Sequence, residues 1–336
     1  MTRRSIHRQA STGLPSPVEA WIDRYKHDGG LRRFVVYFAF ALILATFSII
    51  LHDDGFLSSS NLLNIGRQAA PIAVMAVGMA FALAAGEIDL SVGSVVALSS
   101  LVAAEMVGNY GFLVGVLVAL GASVLVGLVN GLITVKVRIP SFLVTLGMLG
   151  IISGIARNWN DLQSLPIRND RFSGLFGAGG LGPVSSLLIW IIVVGGLGHI
   201  ALHHLRWGRH VLSTGADRDA ANAVGINTSR VKISALVASA TAAGFAGVLL
   251  AGRLSIGRHN FGEDYLLTVI AAVVIGGTNL FGGRASVIGA VTGALIMAML
   301  NNGLILMGLE VADQRIARGV IIILAVALSM REAKES

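Results

Sequence analysis

The chain has 336 residues, of which 54% are hydrophobic and 13% charged, with 25 Lys and Arg against 18 Asp and Glu and no cysteine. A charged fraction about half that of soluble domains makes this an integral membrane protein. The missing thiols exclude a disulfide framework and a thiolate metal site. The basic excess lies mostly between and before apolar runs, where it orients helices, which argues against nucleic acid as a partner.

Residues 1–33 form a basic N-terminal tail with Arg3, Arg4 and Arg8, then Arg32 and Arg33. Phe34 to Leu51 is too long for the apolar region of a usual signal peptide and lacks a small-residue cleavage site, so it reads as an uncleaved first span. Ala69 to Ala85, Leu90 to Val107, Phe112 to Val135, Ile139 to Ala156 and Gly182 to Leu202 follow as candidate spans, several shorter than the roughly 20 residues of a full crossing. Ile233 to Gly252, Leu266 to Leu280, Ala285 to Met307 and Gly319 to Met330 complete a count of about ten. The expected fold is an all-α polytopic bundle of transmembrane helices over residues 34–330, with a short tail at 331–336. Its many Gly, Ala and Ser residues permit close backbone approach between helices. With the N-terminus inside, the inner segments hold about 17 of the 25 basic residues, the bias that the positive-inside rule requires. Both termini are then cytoplasmic.

Gly86-Glu87-Ile88-Asp89-Leu90-Ser91-Val92-Gly93-Ser94 places two carboxylates between apolar runs too short for anything but a tight or partly intramembrane turn. Ionised carboxylates at such depth usually face a bundle interior or an aqueous cavity. Asp89 and Ser91 also stand where an N-cap would start the next helix. Gly262-Glu263-Asp264 echoes this segment, and Asn130-Gly131-Leu132-Ile133 is echoed by Asn302-Gly303-Leu304-Ile305. The first member of each pair falls at the inner side and the second at the outer side, the pattern of an inverted-topology repeat.

The outer loop from Arg157 to Leu181 carries Trp159 between Asn158 and Asn160, a candidate contact for an outside protein or an interfacial anchor. The histidines His199, His203, His204 and His210 have no accompanying carboxylate or thiol and read as interface residues; no metal site is expected. Residues 203–232 form a basic island in an otherwise apolar region. Asp217 is suited to cap a short helix from Arg218 to Val224, Ala220, Ala221 and Ala223 favour it, and Gly225 suits its stop. Further on, Gly276-Gly277-Thr278-Asn279-Leu280-Phe281-Gly282-Gly283-Arg284 suits a chain reversal with a basic anchor. It is no phosphate loop, since the chain contains no G-x-x-x-x-G-K-[ST]. No catalytic residue and no cofactor is expected.

The stretch GEIDLSVGS, Arg209 within RWGRH, GADRDAANAVGI, GEDYLLTVIAAVVIGGTNLFGG and LNNGLILMG together resemble the permease subunits of bacterial carbohydrate ABC importers, the group with ribose, xylose and galactose permeases. The resemblance extends from about Asn61 to Leu328. It implies a multi-span inner-membrane permease dimer, with itself or with a similar second permease, two cytoplasmic ABC ATPase domains and a periplasmic sugar-binding protein. It also assigns ATPase docking to Arg209, Gly215, Asp217, Ala220, Ala221 and Gly225. Glu87 departs from a usual second Gly, and Asp217-Arg218 from a common Asn. On this reading Asn64, Gln68, Asp89, Ser91, Asn130, Thr278 and Asn279 supply the polar groups of an uncharged solute's path, and Trp159 and Asn160 meet the binding protein. The alternative is a stand-alone secondary transporter with Glu87, Asp89 or Glu263 as its proton-coupling carboxylate.

Overall fold

A computed structural model describes residues 30–323 apart from 178, 183, 318 and 322. The tail up to residue 29, most of the expected span Gly319–Met330 and the tail at 331–336 lie outside the described residues. The helices are α1 (Gly30–Ile50), α2 (Ser59–Ala84), α3 (Val92–Tyr110), α4 (Phe112–Leu132), α5 (Ser141–Asn158), α6 (Asp170–Phe176) and α7 (Ser186–His203). They continue with α8 (Arg206–Ala216), α9 (Arg218–Ala223), α10 (Thr228–Leu254), α11 (Tyr265–Ile275) and α12 (Val287–Leu306). A π-helical turn, Ile133–Val137, extends α4. Among the described residues seven helices are long and apolar enough to cross a membrane, and α1 and α11 contribute two shorter apolar segments.

The helices divide by what covers them. α2 is buried almost continuously from Ile65 to Ala84, and α3 and the second half of α10 are similarly enclosed. By contrast α4, α5 and α7 expose Leu117, Leu125, Leu146, Ile151, Ile192 and Leu197. Large apolar side chains on the outer surface suit a lipid solvent, and lipid supplies no hydrophobic force between helices, so the centre must rely on close packing. It does: a Cβ added at Gly127 of α4 would come within 2.6 Å of the Val237 Cα, and one at Gly247 of α10 within 2.5 Å of the Val96 carbonyl oxygen.

Chain directions show an internal exchange. α10 runs parallel to α3, with Asp89 near Ser239 and Ser99 bonded to the Gly244 carbonyl, and antiparallel to α4, where Gly131 meets Ile233 and Ser123 meets Gly244. α2 runs alongside α11, sharing a cavity wall at Gln68 and Tyr265, and antiparallel to α12, where Asn61 and Asn302 exchange two amide hydrogen bonds of 2.9 Å. α2 and α10 are themselves antiparallel, Gly78 facing Ala242. Exchanging α2, α3 and α4 for α10, α11 and α12 thus reproduces these contacts with every direction reversed, and the sequence echoes fall at matching places.

Two expectations need adjustment. The run Leu266 to Leu280 is helical only to Ile275, and Gly276 to Arg284 forms a reversal in which Gly277 has φ +86°. The glycine pair removes the side chains that would continue the helix and permits a left-handed backbone. The loop expected on the outer side is partly folded: Leu165 pairs with Gly257 across a two-stranded β-ladder, and α6 buries Phe172 and Phe176. Phe176 stacks on Trp190 with centroids 5.6 Å apart and meets Phe245 edge-on, so this segment caps one end of the bundle.

Candidate functional site

Between α2 and α3 the backbone leaves helical geometry while still inside the protein. Glu87 is 3% exposed and Asp89 is fully buried. Irregular backbone at such depth persists only where its polar groups find partners, and α5 provides them. The Ile88 N–H donates to Ser141 Oγ and the Leu90 N–H to Thr145 Oγ1, each at 3.0 Å, while the Thr145 hydroxyl reaches the Ile88 carbonyl at 3.1 Å. Glu87 forms an ion pair with Lys232 of α10. Asp89 accepts the Ser91 N–H at 3.0 Å and the Ser91 hydroxyl at 2.6 Å, and Asn130 of α4 donates to the same hydroxyl at 3.0 Å. The Asp89 contact is therefore an Asx-type turn, not the cap expected from its position. Ser91 occupies the N-cap of α3 without a side-chain capping bond.

A cavity of about 530 Å³ lies between α3 and α5, within the range of small-molecule sites. Gly93, Ser94 and Ala97 form one wall, Gly150, Ser153 and Arg157 the other, and His259, Phe261 and Glu263 close it from the segment between α10 and α11. Ser94 donates to the Ser91 carbonyl at 2.8 Å, so the Asp89 network stands directly behind this wall. Arg157 and Glu263 pair at 3.0 Å across the far end. Hydroxyls, an imidazole and one aromatic ring suit a neutral, polyhydroxylated solute that needs hydrogen bonds and an apolar face to rest on.

At the opposite end of the bundle α8 and α9 form a compact attachment. Trp207 of α8 donates to Ser234 of α10 at 2.7 Å and packs on Phe81 of α2, ring centroids 4.8 Å apart. Gly215, near the end of α8, is wedged against the Ala84 carbonyl and the Gly283 amide, where an added Cβ would meet the latter at 2.7 Å. The helix after it forms as its residues dictate: Asp217 accepts the N–H groups of Asp219 and Ala220, both at 2.9 Å, and Gly225 takes φ +86° just past the end. Ala221 is buried against the bundle, whereas Arg218, Asp219, Ala220, Asn222 and Ala223 face outward and Val224 is 76% exposed.

Residues 61–326 match the family described as the branched-chain amino acid transport system permease component. The chain belongs to this permease family. It is 36% identical over 284 residues to the ribose import permease protein of Escherichia coli strain K12, covering 83% of this chain and 88% of the relative. It is 34% identical over 320 residues to the L-arabinose ABC transporter permease protein of Azospirillum brasilense, covering 93% and 92%. The fructose import permease protein of Rhizobium meliloti is 32% identical over 299 residues, covering 85% and 82%. No solved structure gives a significant match. The protein is a multi-pass membrane permease and a transport subunit, not an enzyme.

In the permease, the polar residues expected along one path occupy separate places. Asp89, Ser91 and Asn130 form the buried network behind the α3–α5 cavity. Gln68 lines a second, smaller cavity, and Asn64 is half-buried one turn before it on α2. Thr278 and Asn279 shape the reversal under Gly215: Thr278 accepts the Ser286 N–H at 3.3 Å, and Asn279 accepts the Phe281 N–H at 3.1 Å. Among the expected docking residues, Arg209 donates to the His204 carbonyl at 3.4 Å and remains exposed. Trp159 donates to Glu105 at the capped end, with Asn160 half-buried beside it. Sequence reasoning missed Ser141, Thr145, Ser153, His259 and the Lys232 partner of Glu87. Gly147, Gly150 and Gly154 near Ser153 were the available signal, since their open surroundings put a small-residue face beside the cavity.

Proposed function

We propose that this permease is the membrane-spanning subunit of an ATP-driven importer that carries a sugar, a pentose, hexose or related small polyol, across the bacterial inner membrane. A cytoplasmic ABC ATPase supplies the energy, a periplasmic binding protein delivers the solute, and a second permease, the same chain or a similar one, completes the pore. Relatives that match most of its length are import permeases for ribose, arabinose and fructose. The observation that carries the coupling reading is Gly215, which presses at once on the end of α2 and on the reversal between α11 and α12. A push on the exposed side of α9 therefore reaches both three-helix units. Arg209, Asp217, Ala220, Ala221 and Gly225 serve this surface, whose end of the bundle is cytoplasmic. The solute passes along the α3–α5 cavity, using Ser94, Ser153 and His259 for hydrogen bonds and Phe261 for stacking, with Asp89, Ser91 and Asn130 holding the wall in shape. Trp159 and Asn160 lie on the side that receives the binding protein.

The test is reconstitution with the neighbouring ATPase and binding protein, followed by a sugar panel read as stimulated ATP hydrolysis and vesicle uptake. One sugar should stimulate both activities. Uptake that persists without ATP and collapses with the proton gradient would sink the proposal in favour of a secondary transporter.

A further inference from the structure

Arg67 lies about two turns into α2, next to Gln68, and Arg253 lies one residue before the end of α10. Among the described residues neither forms an ion pair. The acids that precede Tyr265 in sequence are engaged elsewhere, Glu263 by Arg157 and Asp264 by Arg315. The Arg67 Nε–H is buried with no hydrogen-bond partner. A buried guanidinium N–H without a partner carries a desolvation cost. An anion within its reach would relieve it.

Arg253 also lines a cavity of about 60 Å³, with Gln68, Tyr265, Thr268 and Asn301 on its walls. A single water needs roughly 10–15 Å³ on this measure, so the space suits a few waters or one tetrahedral oxyanion. Asn301 donates to Gln68 Oε1 at 3.4 Å, which engages that oxygen and leaves the Gln68 amide hydrogens as donors. Amide donors on α2 and α12 and the Arg253 guanidinium on α10 fit a group that accepts from several directions, as phosphate does. The cavity lies in the half of the bundle away from α8 and α9, running from Ile72 and Met297 at mid-helix to Arg253 in the last turn of α10, on the side where a bilayer carries one of its phosphate layers. Basic pockets between membrane helices take lipid headgroups by this chemistry. We propose that the cavity beside Arg67 and Arg253 is a phosphate-binding site, filled by the headgroup of an anionic phospholipid or by free inorganic phosphate, distinct from the α3–α5 cavity.

Delipidated permease in neutral detergent would be titrated with sodium phosphate against sodium chloride at equal ionic strength, and with phosphatidylglycerol against phosphatidylcholine. Binding would be followed by thermal unfolding and by native mass spectrometry. A saturable stabilisation by phosphate identifies the free ion, and one confined to phosphatidylglycerol identifies the lipid; either supports the site. Arg253→Gln and Arg67→Gln should weaken binding roughly tenfold or more, and Arg168→Gln, on the exposed loop, should leave it unchanged. Arg253→Lys keeps the charge and guards against misfolding by retaining part of the affinity. No stabilisation of the wild type above the chloride and phosphatidylcholine controls overturns the proposal, as do glutamine variants that bind like wild type. Because no sugar, ATPase or binding protein enters this assay, its outcome is independent of the transport reading.

Discussion

The Gly283 amide donates to the Ala84 carbonyl at 3.0 Å, joining the end of α2 to the reversal before α12 in one floor beneath Gly215. A side chain at 215 meets only backbone there, which cannot rotate aside. Gly215→Val should displace α8 at an overpacking cost of about 1–3 kcal/mol. We expect membrane insertion to survive and sugar-stimulated ATP hydrolysis to be lost in the reconstituted complex. Normal stimulation would remove Gly215 from the coupling path.

Asp217 holds the start of α9 through two backbone N–H groups. Asp217→Ala should weaken the helix by about 1 kcal/mol and lower uptake in part, whereas Asp217→Ser keeps a capping oxygen. Asp217→Lys, and a proline at Ala221 that removes its bond to the Asp217 carbonyl, should abolish uptake while both proteins still insert. Uptake assays beside membrane fractionation check this, and wild-type transport by both severe variants would refute the docking assignment.

Glu87 and Lys232 are 4% and 18% exposed at their side chains, so neither charge has ready access to solvent once its partner is gone. Lys232→Met alone should destabilise the detergent-solubilised permease by about 3–5 kcal/mol, and pairing it with Glu87→Met should recover much of that loss. A thermal-unfolding cycle over the four proteins gives the answer. Additive losses would show that the pair is not coupled.

Thr145 accepts the Leu90 N–H, and its one hydroxyl proton is shared between the Ser141 carbonyl at 2.8 Å and the Ile88 carbonyl at 3.1 Å. Thr145→Val keeps the shape but leaves buried backbone groups unpaired, a loss of about 1–3 kcal/mol that Thr145→Ser should largely avoid. Unfolding midpoints of the two variants should separate in that order.

Arg157 and Glu263 are each about half exposed, so their ion pair should contribute under about 1 kcal/mol to stability. Their place at the cavity gives them a different importance. Arg157→Glu should leave the unfolding midpoint nearly unchanged while altering the sugar concentration that half-saturates uptake, and adding Glu263→Arg should restore it. Unaltered uptake kinetics in the single variant would exclude these residues from the cavity's working end.

The spans were readable because lipid permits little else than long apolar helices, and the α9 helix because Asp217, three alanines and Gly225 spell its start and stop locally. The 86–91 segment was legible as unusual, yet its partners Ser141, Thr145 and Lys232 are distant in sequence and ordinary in type. Asp89 shows the limit most directly: its position before a helix suggested a cap, but the same carboxylate can close a turn on Ser91, and only the surrounding α4 and α5 decide between them. Gln68 and Asn130 looked alike as polar residues in apolar runs, and helix packing sends Gln68 to a cavity wall and Asn130 into a closed hydrogen-bond network.

The bonds from Ser141 and Thr145 to Ile88 and Leu90 fasten one end of α5 to buried backbone, while its other end is held by two exposed side-chain contacts, Arg157 to Glu263 and Trp159 to Glu105. The two ends of α5 are thus of unequal strength. Water can compete for the contacts at the Arg157 end but not for the buried bonds to Ile88 and Leu90, so the cavity is the easier to widen toward the capped end of the bundle, while the segment carrying Asp89 stays tied to α3, α4 and α5 together.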